Sequence, residues 1–167
     1  MTEKEKLEEL KFAIGRFDHY YDSVNNKGNL YLAVNTFVLG SVIAGYASLN
    51  SQFHFSNWIL SLLIAVLAAN LFSVAYTLAA IKPFLKKKHG SRSMIYFGDV
   101  HNASEVTVGD FWKNLTAEKL KEDFLSQYKI LAGGLDRKFR WLKTATTFIA
   151  IQIAGIVLFG ILLLITF

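Results

Sequence analysis

Three stretches of this chain, residues 30–49, 58–81 and 144–167, contain no Asp, Glu, Lys or Arg. A hydrocarbon core of about 30 Å is crossed by roughly 20 helical residues rising about 1.5 Å each, so every one of the three is long enough to span a bilayer. Three uncharged helices in a chain of 167 residues leave too little polar surface for a water-soluble globule. With 53% hydrophobic and 19% charged residues, the composition also lies on the apolar side of the usual soluble domain. The sequence predicts a mainly α membrane protein with three transmembrane helices.

Basic residues set the expected orientation. Five precede the first span, thirteen lie in 82–143, and the loop 50–57 has none. By the positive-inside rule the N-terminus and 82–143 are cytoplasmic, and the C-terminus reaches the outer face. The expected organisation is a cytoplasmic amphipathic helix at 1–29, transmembrane helix 1 at 30–49 and a short outer loop at 50–57. Transmembrane helix 2 at 58–81, a cytoplasmic region at 82–143 and transmembrane helix 3 at 144–167 complete it. The absence of Cys removes disulfides, thiolate chemistry, prenylation and palmitoylation.

The charged parts have helical periodicity. Leu7, Leu10, Ile14, Phe17, Tyr21 and Val24 recur at steps of three and four, forming one stripe that leads into the first span. Beyond Thr116, a suitable N-cap, Leu120, Phe124, Tyr128, Leu131, Leu135, Phe139 and Leu142 form a second stripe leading into the third. Both predict long helical extensions of the first and third spans. Gly28 and the pair Gly133-Gly134 are the candidate hinges, since glycine weakens a helix interior.

Between these helices, the run from Ser93 to Asp99 is bulky and bounded by Gly90 and Gly98, which predicts a short strand or irregular insertion. The stretch 103–109 reads as short and polar. The basic run Lys86-Lys87-Lys88-His89-Gly90-Ser91-Arg92-Ser93 suits the cradling of a phosphate, while its three lysines read first as anchoring at the end of the second span. Arg92 and Ser93 are better ligand candidates, because they adjoin Tyr96 and Phe97, whose rings suit stacking on a base. No phosphate-binding glycine loop, nucleophile elbow or zinc-protease motif occurs, so an enzyme is not expected. His19, His54, His89 and His101 are scattered, and no metal or other cofactor is expected.

Each span carries one amide: Asn35, Asn70 and Gln152. An amide facing lipid is costly, so these should meet each other, another subunit or a water-filled path. Helix packing and pore lining are both open. Gly40 and Ala44, Ser41 and Gly45, and Ala65 and Ala69 have the four-residue spacing that permits close helix approach.

The segment Leu10-Lys11-Phe12-Ala13-Ile14-Gly15-Arg16-Phe17-Asp18-His19-Tyr20-Tyr21-Asp22-Ser23-Val24-Asn25-Asn26-Lys27-Gly28-Asn29 is followed by Leu32-Ala33-Val34-Asn35-Thr36-Phe37. Together with Met94-Ile95-Tyr96-Phe97-Gly98 and the helix bearing Asp123, Gln127 and Lys138-Phe139, it resembles the Pycsar transmembrane effectors. The resemblance covers most of the chain. It implies an antiphage effector of the bacterial inner membrane that senses a cyclic nucleotide, such as cCMP or cUMP, and impairs the membrane as a homo-oligomer. It also makes 82–143 the sensor region. By motif position it implies Asn26, Lys27, Phe97, Gly98, Gln127 and Lys138 as functional positions. Lys27, Arg92 and Lys138 then suit a phosphate, Asn26 and Gln127 a base edge, and Phe97 stacking. The plain alternatives are interfacial anchoring for Lys27 and solvated helix faces for Gln127 and Lys138.

The expected partners are the lipid bilayer, a cyclic nucleotide and further copies of the chain, with no nucleic acid. Two other classes of function compete: a membrane scaffold or regulatory subunit that ignores nucleotides, and a constitutive small channel.

Overall fold

The computed structural model describes residues 1–50, 55–83 and 93–166. Its helices are α1 (Glu3–Asn50), α2 (Asn57–Ile81), α3 (Phe97–His101), α4 (Glu105–Lys113) and α5 (Ala117–Thr166). Three of them, α1, α2 and α5, are long and apolar enough to cross a membrane. The chain divides into two compact units, one of residues 1–22 and 83–136, the other of residues 23–82 and 137–167. Both α1 and α5 are assigned as continuous helix through Gly28 and through Gly133-Gly134.

In the first unit the N-terminal turns of α1 pack on the N-terminal turns of α5. Phe17 and Tyr128 place their ring centroids 5.0 Å apart, and the Tyr21 hydroxyl donates to the Leu131 carbonyl at 2.9 Å. Burial and the Asp18 charge raise the Tyr21 pKa, so the phenol stays protonated and able to donate. The predicted N-terminal stripe holds: Leu7, Leu10, Ile14, Phe17 and Tyr21 are all half-buried, with mostly exposed neighbours. Thr116 caps α5 as expected, its hydroxyl accepting from the Lys119 amide at 3.3 Å.

At the far end of this unit Lys121 Nζ lies 2.6 Å from Glu3 Oε2, and Lys6 Nζ lies 2.7 Å from Glu3 Oε1. Hydrogen bonds from Lys121 and Lys6 hold the Glu3 carboxyl well below its usual range, at about 2. A carboxylate whose folded pKa is depressed stabilises the fold above its unfolded pKa of about 4.5, and that contribution disappears as pH falls toward 2. Glu3→Gln is expected to remove this acid-sensitive step from a pH titration of the helix contact. The effect should be small and salt-sensitive, because both partners are exposed.

Within the first unit the run from Ser93 to Asp99 takes the irregular alternative and not the strand. No strand occurs among the described residues; the run from Ser93 is a turn that opens directly into α3. The reason is local hydrogen bonding. The Ser93 amide is taken by Asp99 Oδ2 at 3.0 Å, the Met94 amide by Asp123 Oδ2 at 2.9 Å, and the Ile95 and Tyr96 amides by Ser93 Oγ at 3.2 and 3.1 Å. Side chains thus occupy the amides a strand ladder would need. The stretch read as short and polar is likewise mostly helical: Ser104 caps α4, its Oγ accepting from the Thr107 amide at 3.2 Å.

In the second unit α2 is the most enclosed of the spanning helices. A third of its apolar window is buried, against 11% for α1 and 6% for α5. Its buried residues Ile59, Leu63, Val66, Asn70, Ser73, Thr77 and Ala80 alternate steps of four and three, the spacing of a helix seam. Close approach occurs at two glycines. A Cβ on Gly28 would collide with the Ile81 Cγ2 methyl, and one on Gly155 would lie 2.5 Å from Val66 Cγ2. The small residues singled out by spacing are mostly elsewhere: Gly40, Ser41, Ala44 and Ala65 are exposed, and only Ala69 of those six is buried. Four-residue spacing identifies small residues but not which face meets a neighbour.

Candidate functional site

The amides of the three spans converge within the second unit. Asn35 and Asn70 are each 1% exposed and Gln152 is fully buried. Asn70 Nδ2 donates to Gln152 Oε1 at 2.9 Å and to the Asn35 carbonyl at 3.0 Å, and Gln152 Nε2 donates to Asn35 Oδ1 at 2.9 Å. Asn35 Nδ2 donates to Ser73 Oγ at 3.0 Å and to the Tyr31 carbonyl at 2.8 Å. Ser73 Oγ donates onward to the Ala145 carbonyl at 3.3 Å. Of the fates open to these amides, mutual contact is the one adopted here. Asn70 Oδ1 is buried without a hydrogen-bond partner among the described residues.

Lys138 belongs to the same unit and is not on a solvated face. It is 3% exposed, and its ammonium donates to the carbonyls of Ala80 at 2.5 Å and Lys82 at 2.8 Å. Ala80 lies in the last turn of α2 and Lys82 is its C-cap, so neither carbonyl has a partner further along that helix. A cation there satisfies them and complements the negative end of the helix dipole. Burial pushes the Lys138 pKa down. Asn26 and Lys27 are exposed in this unit, while Gly28 is buried against Ile81 and Thr77.

The remaining sequence-selected residues lie in the first unit. Ser93 is buried at the centre of the turn just described, with Asp99 buried beside it. Phe97 is 67% exposed, its ring 4.9 Å from that of Tyr96. A Cβ on Gly98 would lie 2.7 Å from the Tyr96 ring, so a larger residue there would displace that ring. Gln127 is buried on α5, in the same unit as Asp123, whose carboxylate holds the Met94 amide. Arg92 and the basic run from Lys86 to Ser91 lie outside the described residues, as does His54.

The described site residues expected from the sequence are divided between the two units. Ser93, Phe97, Gly98 and Gln127 share one unit; Asn26, Lys27 and Lys138 share the other. Asp99 has a readable signal for its role, since an acid six residues beyond a serine in a glycine-bounded run suits a side-chain-held turn. Asp123 has no local signal for its role, because its partner is 29 residues away. Among the described residues no group of three His, Asp or Glu side chains is placed to hold a metal ion.

Comparison with known families gives a match along nearly the whole chain: the model of the Pycsar effector protein domain, PycTM, covers residues 9–166. No curated protein and no solved structure matches this sequence.

Proposed function

We propose, from a chain that belongs to the Pycsar effector family, that this membrane effector of antiphage defence is switched on by a cyclic nucleotide and acts by permeabilising the inner membrane as a homo-oligomer. The family match over residues 9–166 carries this reading. The charge distribution supports a cytoplasmic N-terminus and 82–143 region. The messenger proposed is a cyclic pyrimidine mononucleotide, cCMP or cUMP.

The ligand surface we favour is the turn and α3 of the first unit. Phe97 offers an exposed ring, Gly98 lets the Tyr96 ring lie close to the backbone, and Ser93, Asp99 and Asp123 hold the turn in a fixed shape. A base stacking on Phe97 would gain about 1 to 3 kcal/mol. A ligand shifts a conformational equilibrium only through its different affinity for two states, so messenger binding must favour one arrangement of this unit over another. Gly28, Gly133 and Gly134 remain the proposed points of bending.

Calorimetric titration of the detergent-solubilised full chain with a panel of cyclic nucleotides tests the sensing step. A cyclic pyrimidine nucleotide should bind, and Phe97→Ala should weaken binding about 5- to 150-fold, the equivalent of the stacking energy. Heat from none of the panel at millimolar ligand would sink the proposal. The output step is tested separately: liposomes bearing the protein should leak ions when messenger is added.

A further inference from the structure

A groove of about 570 Å³ opens within the second unit between α1 and α5. Lys27 comes from α1 and Lys143 from α5, and each stands just before the residue where its helix becomes uncharged. Phe139 and Leu142 precede Lys143 on α5, and beyond it come the hydroxyls of Thr146 and Thr147 and then Ala150, with the Tyr31 hydroxyl beyond Lys27 on α1. The Tyr31 and Thr146 hydroxyls are hydrogen-bonded at 2.8 Å, joining the two helices across the groove. Thr146 and Thr147 also donate to the carbonyls of Leu142 and Lys143, at 2.9 and 3.3 Å. No acidic side chain lines this groove among the described residues.

We infer that this groove binds one anionic phospholipid of the cytoplasmic leaflet, its phosphate between Lys27 and Lys143 and an acyl chain running along the apolar wall toward Ala150. The lining joins two cations to hydroxyls and to the apolar surface of Phe139, Leu142 and Ala150. A free phosphate would use only the first of these, and a soluble anion has no reason to be met by an apolar wall. Cytoplasmic leaflets are negatively charged, and a lysine close to such a surface contributes about a fivefold gain in binding, roughly 1 kcal/mol. The inference rests on the orientation proposed above. It is independent of the nucleotide reading, because the two surfaces lie in different units.

The test uses the full chain in detergent without nucleotide. Native mass spectrometry follows retention of phosphatidylglycerol, of phosphatidylcholine with the same acyl chains, and of inorganic phosphate. Phosphatidylglycerol should be retained in preference to phosphatidylcholine. Lys27→Gln and Lys143→Gln should each reduce that retention about fivefold, and together by more than about tenfold. The double arginine variant should keep the preference. Ala150→Phe, which fills the lower groove while leaving both charges, should weaken retention of the lipid. Equal retention of the two lipids, or a preference that survives the double glutamine variant, would overturn the inference. Displacement of phosphatidylglycerol by inorganic phosphate at equal concentration would also overturn it, as the mark of a simple anion site.

Discussion

Asn70→Leu should lower the stability of the transmembrane bundle by about 2 to 4 kcal/mol, read as a fall in midpoint in a detergent-denaturation titration. The substitution removes donors to Gln152 Oε1 and to the Asn35 carbonyl and leaves both acceptors buried. An interhelical polar contact in a membrane protein contributes about 0.6 to 2 kcal/mol, and an acceptor left without a partner adds its own cost. Replacing Asn35, Asn70 and Gln152 together by Leu should recover most of the loss, since the three amides are then removed with their partners in one another, and Ser73 keeps its bond to the Ala145 carbonyl. The Asn70 and Gln152 variants should accordingly be non-additive in a double-mutant cycle. Strict additivity, with each single variant costing less than about 0.5 kcal/mol, would show that the three amides do not act as one cluster.

Lys138→Glu should be the most damaging single change, costing more than about 4 kcal/mol or preventing assembly of the unit. It places a carboxylate against the carbonyls of Ala80 and Lys82, acceptors facing an acceptor at the negative end of α2. Lys138→Met should cost less, about 1 to 3 kcal/mol, because loss of the charge-assisted bonds is partly offset by no longer burying a charge. The pH dependence separates these contributions. With its pKa lowered in the folded state, Lys138 gives up its proton before the unfolded chain does. Between that lowered pKa and the ordinary lysine value of 10.5, the unfolded state binds more protons, so this residue makes stability rise with pH across that window. Lys138→Met should abolish that rise in thermal denaturation measured on the alkaline side.

The three spans were legible because an uncharged stretch of that length has few alternatives, and the amphipathic approach of α1 was legible because its stripe is made of apolar residues. The stripe of α5 was legible only in part. Tyr128 and Phe139, placed on it by hydropathy, remain exposed at 38% and 37%, while neighbouring Gln127 and Lys138 are buried. A polar residue can occupy a buried position when a partner from another helix meets it, and for Lys138 that partner lies 58 residues away along the chain. Periodicity of apolar residues cannot register such a position. At Ser93 the sequence leaves strand and irregular insertion as alternatives for a related reason: four backbone amides are held by three side chains, one of them from α5. Convergence of Asn35, Asn70 and Gln152 was accessible because each span offers just one amide, and hydrocarbon penalises any that stays alone.

The length of α2 bears on the bilayer itself. Its 25 residues extend about 37 Å, whereas hydrocarbon is about 30 Å deep, and none of them is charged. The surplus of about 7 Å is accommodated by tilt or by local thickening of the lipid. A thinner membrane demands more tilt from a helix whose seam is already committed to two neighbours, so hydrophobic mismatch becomes a mechanical load on the Asn70 cluster at the middle of that seam.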